Sequence, residues 1–251
     1  MLGIERRREI MKLLNEHQKV YVQDLSKLYD VTDETIRRDL EKLEQQNLVK
    51  RCYGGAVINE HTSQDLSFLK RIDINRNAKY DIAKRAEFLI NDGDTLMVDS
   101  STTCLALLQY LKTKKDLTII TNSIRILNEF VNSEFKIIST GGDLRAHSYA
   151  LTGQDTCETL KKYYVDMAII SCKALDLDKG IMESNRLESA IKRQMIEQAK
   201  SCILLADATK FNKTAFTKIC DFDKISKIVT DKEPNNRWLE FTRNNEIELI
   251  Y

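Results

Sequence analysis

The chain has 251 residues, 42% of them apolar and 31% charged, with a formal net charge of +1. That length suits two domains, and the apolar share suffices for a sizeable core. The balanced charge rules out a globally basic protein, so any nucleic-acid contact has to be local. The six cysteines stand singly at 52, 104, 157, 172, 202 and 220, without the close spacing of a zinc or redox site. Met1-Leu2-Gly3-Ile4-Glu5-Arg6 does not read as a signal peptide, and no apolar run approaches a membrane span. The expectation is a cytoplasmic protein with reduced thiols, no cofactor and no metal.

Ile4 to Glu16 spaces Ile10, Leu13 and Leu14 along one face of a charged helix. Lys19 to Val22 reads as a short extended link, and Asp24 to Tyr29 as a second helix burying Leu25 and Leu28. After a turn at Asp30-Val31-Thr32, the stretch Asp33 to Gln46 predicts a third helix. Val31, Ile36, Leu40 and Leu43 share its inner face, and Thr32 stands where an N-cap belongs. Thr35, Arg37, Arg38 and Lys42 then point outward. A hydroxyl and paired arginines near a helix N-terminus suit a DNA major groove, because arginine reads guanine edges bidentately and both groups hold phosphates. Paired arginines alone usually mark a solvated face. Here a short helix, a tight turn and a longer polar-faced helix make a helix-turn-helix. Leu48 to Ile58 adds two β-prone runs around Gly54-Gly55, a hairpin wing that places Lys50, Arg51 and Tyr53 beside the groove.

Residues 59–76 are polar and aperiodic and are assigned as linker between a DNA-binding domain, 1–58, and a second domain, 77–251. In the latter, Lys79 to Ile90 predicts a helix with Ile82, Ala83, Ala86 and Leu89 inward. Six strand-like runs follow, at Thr95–Asp99, Leu117–Thr121, Phe135–Ser139, Val165–Ile170, Cys202–Ala206 and Ile225–Val229. Helices fall between several of them, including Thr102 to Leu111, Ile124 to Val131 and Leu187 to Lys200. Pro234 precedes a last helix around Trp238, and Ile247 to Tyr251 reads as an edge strand. This alternation predicts an α/β domain with a mainly parallel sheet covered on both faces.

Ligands of such sheets bind beyond the strand carboxyl ends. Asp99-Ser100-Ser101-Thr102-Thr103 offers hydroxyls and free amides at a helix start, which suits a phosphate; the plain alternative is a helix cap. Asn122 and Ser123 follow the next strand. Gly141 and Gly142 permit close backbone approach, with Arg145 in reach of an anion. Lys173 leads on to Glu183, Asn185 and Glu188, and Lys210 closes a fifth loop. Together they predict a small phosphorylated ligand carrying hydroxyls.

Residues 5–58 resemble the DNA-binding domain of the DeoR family of bacterial transcriptional regulators. The match lies in Arg6-Arg7, in Thr32-x-x-Thr35-Ile-Arg-Arg-Asp-Leu, in Leu43-Glu44 and in the wing Arg51-x-Tyr-Gly-Gly-Ala. The loops of the second domain are similar to the sensor domain of that family, which shares its fold with ribose-5-phosphate isomerase. The resemblance implies a regulator, a repressor of a carbohydrate operon, that binds operator DNA as a homodimer or homotetramer. It also implies release by a phosphorylated sugar or related metabolite. It assigns Ser101, Thr102 and Thr103 to the phosphate, and Asp99, Lys173, Glu183, Asn185 and Lys210 to the sugar end or pocket wall. Two departures point to a subgroup with its own effector. Ser101 stands where the family often has the glycine of Asp-x-Gly-Thr-Thr. Ser171-Cys172-Lys173-Ala174 replaces a glycine-bounded run.

Two other readings stand beside this one. A sugar-phosphate isomerase would use Glu188 as base and Lys210 as electrophile, but His17, His61 and His147 all fall outside the five loops and DNA binding has no part in turnover. A DNA-bound scaffold would use the second domain to hold a protein.

Overall fold

The computed structural model describes residues 2–17, 19–46, 48–58, 62 and 65–251. His61 and most of the expected linker before Asp65 lie outside those residues. The chain divides into two compact units, Met1–Gln64 and Asp65–Tyr251.

In the first unit, α1 (Gly3–His17), β1 (Lys19–Tyr21), α2 (Val22–Tyr29) and α3 (Asp33–Gln45) precede the wing strands β2 (Val49–Cys52) and β3 (Gly55–Ile58). Asp30 ends α2 in the left-handed region, and the Thr32 hydroxyl caps α3 by accepting from the Thr35 N–H. The three strands form one antiparallel sheet in the order β1-β3-β2. A side chain at Gly55 would put its Cβ 2.0 Å from the Val20 carbonyl oxygen, so only glycine lets the wing close onto β1. The core joins Ile10, Leu14, Val20, Leu25, Ile36, Leu40, Leu43 and Val49. Leu28, expected inside, is exposed. Because α2 already begins at Val22, the inward stripe runs through buried Val22 and Leu25 to half-buried Tyr29 at helical spacing, and Leu28 falls off it.

The second unit opens with α4 (Phe68–Asp73) and α5 (Arg76–Glu87). The chain continues through β4 (Thr95–Val98), α6 (Thr102–Tyr110), β5 (Thr118–Thr121), α7 (Ile124–Glu129) and β6 (Lys136–Ser139). A hairpin of β7 (Asp143–Arg145) and β8 (Ala150–Thr152) leads to α8 (Gln154–Leu160). Next come β9 (Val165–Ser171), β10 (Ala174–Asp176), β11 (Gly180–Glu183), α9 (Arg186–Glu197) and β12 (Ala199–Leu205). The chain ends through β13 (Thr217–Cys220), β14 (Lys227–Val229), α10 (Asn236–Asn244) and β15 (Glu248–Ile250).

Seven of these strands form one all-parallel sheet in the order β15-β14-β12-β9-β4-β5-β6. Alternate residues go to opposite faces. Leu96, Val98, Ile169, Ile203 and Leu205 join one core, while Met97, Ala168, Ile170, Cys202 and Leu204 join the other. All six expected strands and the edge strand are in this sheet. The chain first winds from β4 towards β6, then returns to lay β9 on the other side of β4, so the switch point lies between β4 and β9.

Besides the β7–β8 hairpin and α8, which the sequence did not announce, the second unit departs from expectation as follows. Residues 65–76 are not linker: α4 belongs to the second unit, and Phe68 is fully buried in its core. The helix after it ends at Glu87, so Ile90 is buried where Leu89 was expected. A small antiparallel sheet, β10-β11-β13, carries Glu183 and borders Lys173; its strands are too short to show a periodicity.

Candidate DNA interface and effector pocket

On α3, Arg37, Arg38 and Lys42 are exposed, Thr32 is exposed and Thr35 half-buried. Arg37 lies 3.9 Å from Asp33 and Arg38 3.3 Å from Glu34. Both are exposed pairs one turn apart, which hold a side chain weakly and leave the guanidinium available. Lys50, Arg51 and Tyr53 are exposed on the wing, and Arg51 is tethered to Glu44 at 2.6 Å. Arg6 and Arg7 do something else. Arg6 Nε lies 2.6 Å and Arg7 Nη1 2.9 Å from the two oxygens of Asp39, a residue whose side chain is 5% exposed. They clamp α1 to the inner side of α3, so the recognition surface rests on a buried ion triad.

In the second unit, every expected loop lies at the carboxyl edge of the sheet or on the hairpin beside it. Asp99, at the switch point, is 1% exposed. Its Oδ1 accepts from the Ser101 N–H at 2.8 Å and its Oδ2 from the Ser171 N–H at 2.9 Å. Lys192 on α9 fills the remaining space. Its ammonium reaches Asp99 Oδ2 at 2.8 Å, Glu183 Oε2 at 2.9 Å and the Ser171 carbonyl at 2.7 Å, which uses all three of its protons. Burial opposes charge on all three groups, yet the Lys192 ammonium holds both carboxyls below their usual range and the carboxylates raise the lysine. Asp99 and Glu183 therefore brace the carboxyl edge of the sheet from inside.

The other expected residues divide by what they touch. Ser101 caps α6 by accepting from the Cys104 N–H, and Thr102 and Thr103 lie buried in its first turn beside Ser100. Neither Ser100 nor Ser101 has a positive φ, so the loop does not need the family glycine. Ser123 caps α7 and Asn185 caps α9. Asn122 donates to the Leu151 carbonyl at 3.0 Å, while its own Oδ1 is buried without a partner. Gly142 serves packing: at φ +109°, a Cβ there would meet Thr156 Oγ1 at 2.1 Å, whereas Gly141, at φ +65°, only turns the chain and a Cβ on it would meet nothing. Arg145 bonds Ser148 and Glu188, both at 2.8 Å, and also Asp65, so Glu188 has its charge matched.

Lys173 and Lys210 differ from all of these: among the described residues neither ammonium makes a hydrogen bond or ion pair. They face two cations that sequence reasoning missed. Lys79 of α5 is buried and donates to the Arg71 carbonyl, and Arg71 Nε is buried without a partner. Burial, aided by Lys210, pushes the Lys79 ammonium down to about 7; Arg71 adds to this, while Asp207 and Asp73 oppose it. Burial and Lys210 bring Lys173 to about 8. Lys79 was legible as a lysine in the apolar stripe it shares with Ile82, Ala83 and Ala86. Arg71 carried no signal, because its segment read as linker.

The lowered Lys79 value fixes a sign. Below about pH 7 the lysine is charged in both folded and unfolded chain, and folding bears the full burial cost. Between there and the ordinary lysine value the unfolded chain binds more protons, so this group makes stability rise with pH. In urea unfolding, the stability gain of Lys79→Met over wild type is expected to shrink from pH 6.5 to 9.5. A gain independent of pH would contradict the assignment.

Among the described residues no cluster of three or more His, Cys, Asp or Glu is placed to hold a metal, and no helix is long and apolar enough to cross a membrane. The profile of the DeoR-like helix-turn-helix domain matches residues 6–62, and that of the DeoR C terminal sensor domain matches residues 74–232. A putative aga operon transcriptional repressor of Escherichia coli O157:H7 is 33% identical over 98% of this chain and 93% of its own. The L-fucose operon activator of Haemophilus influenzae is 35% identical over 96% and 97%. Among solved structures, a D-ribose-5-phosphate isomerase in complex with phospho-erythronic acid covers 54% of each chain at 15% identity and a TM-score of 0.42. With an exposed recognition helix and wing on one unit and a polar sheet edge on the other, the chain belongs to the DeoR family of transcriptional regulators.

Proposed function

We propose that this regulator represses a carbohydrate catabolic operon from the cytoplasm, binding operator DNA through Thr35, Arg37, Arg38 and the wing, and that a phosphorylated sugar controls it. The observation that carries the reading is the exposed pair Arg37 and Arg38 on the first turns of α3, beside the exposed wing residues Lys50, Arg51 and Tyr53. Relatives named for the aga operon and the L-fucose operon support the carbohydrate assignment. One helix-turn-helix reads a half-site, so a two-fold operator calls for at least a dimer. Catalysis loses support because Glu188, the base an isomerase would need, is buried and held by Arg145.

The test is Arg38→Ala against operator duplexes selected with the wild type. Loss of one bidentate base contact is worth about 1–3 kcal/mol, so affinity per half-site is expected to drop roughly 5- to 150-fold. Thermal unfolding should stay put, because the Arg38–Glu34 pair is exposed. Wild-type operator affinity in this variant would overturn the groove assignment.

A further inference from the structure

Lys79, Lys173, Lys210 and Arg71 converge on one side of the sheet edge by backbone construction. Asn75, which precedes α5 by one residue, donates to Asp207 Oδ1 at 3.1 Å and to Thr209 Oγ1 at 3.2 Å, tying the start of α5 to the turn that carries Lys210. Leu175 bridges to Phe211, and the Lys213 N–H donates to the Leu175 carbonyl at 3.1 Å, which sets the Lys173 segment alongside the same turn. Lys79 sits one turn into α5 and bonds the backbone of Arg71. Lys192 lies nearby but is already matched by Asp99 and Glu183. The carboxylates left near the cluster are Asp207, which accepts from Asn75 and Thr209, Asp73 beside Lys79, and Glu183, which is engaged by Lys192. Three lysines and an arginine thus share too little negative charge, two of the lysines having no hydrogen-bond or ion-pair partner among the described residues.

The hydroxyl loop lies elsewhere on the edge. Ser101 to Thr103 follow β4, while Lys210 follows β12, and β9 runs between those strands. Two inter-strand spacings put the two features about 10 Å apart. That is the reach of a five- or six-carbon sugar with an anionic group on each end.

We infer that the effector is doubly anionic, with a phosphate at the Ser101–Thr103 loop and a second phosphate or carboxylate held by Lys79, Lys173, Lys210 and Arg71. This rests on the proposed sugar-phosphate control and specifies it. Burial and the repulsion from Lys210 lower the proton affinities of Lys79 and Lys173, and an anion among them would offset both effects. Binding the second anion draws protons onto these lysines above pH 8.

The experiment is calorimetric titration and thermal shift of the full chain with two matched pairs: fructose 6-phosphate against fructose 1,6-bisphosphate, and glucose 6-phosphate against 6-phosphogluconate. One dianion is expected to bind roughly 10- to 100-fold tighter than its monophosphate, as charge-assisted bonds to an added anion allow. The preferred pair tells a phosphate from a carboxylate at the lysine end. At pH 8.5 its binding heat should vary with the buffer's ionisation enthalpy. Lys173→Met should fold well, since it removes an unpartnered charge, and should narrow the difference within the pair to under about threefold. Monophosphates binding as tightly as dianions, or Lys173→Met weakening both members equally, would overturn the second-anion site while leaving sugar-phosphate control standing. Silence from all four probes would defeat that control instead. Inorganic phosphate then decides: stabilisation of the wild type but not of Lys173→Met keeps the lysine site, and equal stabilisation of both removes it.

Discussion

Lys192→Met is expected to unfold on the order of 10 °C below the wild type, a loss of about 3–5 kcal/mol. The methionine fits the volume, but Asp99 and Glu183 then face each other in the interior with no cation between them. Two adjacent buried carboxylates cannot both stay ionised, so one takes up a proton. The deficit should therefore narrow as the pH is lowered towards 5. The triple variant Asp99→Asn, Glu183→Gln, Lys192→Met keeps the shape without the charges and should recover most of the loss. A melting temperature within roughly 2 °C of wild type for the single variant would show that the triad is not what holds the switch point closed.

The second large effect belongs to Asp39. Asp39→Ala removes the shared partner of Arg6 and Arg7 and leaves the Arg6 guanidinium, itself 9% exposed, uncompensated against α3. A unit of about 60 residues has roughly 3–9 kcal/mol of stability, and breaking a buried pair takes about 3–5 of it. The variant should lose operator binding altogether, show protease cleavage confined to the first unit, and keep the thermal transition of the second. Arg38→Ala, by contrast, should lose affinity with the first unit still protected. Protection of the first unit in Asp39→Ala would mean that Arg6 finds another partner and that the triad is dispensable.

How much of this was legible depended on whether a residue's role was local. The parallel strands declared themselves through continuous apolar runs, and the recognition helix through its cap, its stripe and its outward arginines. Asp39 sits beside Arg37 and Arg38 in an unbroken charged run, and only the packing of α1 shows that it faces inward. Lys192 lies one turn beyond Glu188 on a face shared with Ile191 and Met195, a buried-lysine signal whose meaning required β4 and β11 to arrive with their carboxylates. The glycine pair announced close approach, but only Gly142 makes one, against Thr156, while Gly141 faces open space and serves the turn. The loop residues were placed at the right edge, but three of them, Ser101, Ser123 and Asn185, cap helices, a use that sequence cannot separate from ligand contact.

The aromatic end of the second unit has an optical consequence. Trp238 is the chain's single tryptophan. It is fully buried, donates from Nε1 to Asn212 at 2.9 Å, and meets the ring of Phe211 edge-on at 4.8 Å. Phe211 and Asn212 directly follow Lys210, so the indole rests on the strap that carries one of the unpartnered lysines. Any rearrangement of that strap alters the dipole and hydrogen bond felt by the excited indole. The regulator thus carries a built-in fluorophore beside the lysine end of the proposed effector site, and a change in the colour or intensity of its emission on adding ligand is the label-free signal that site would give.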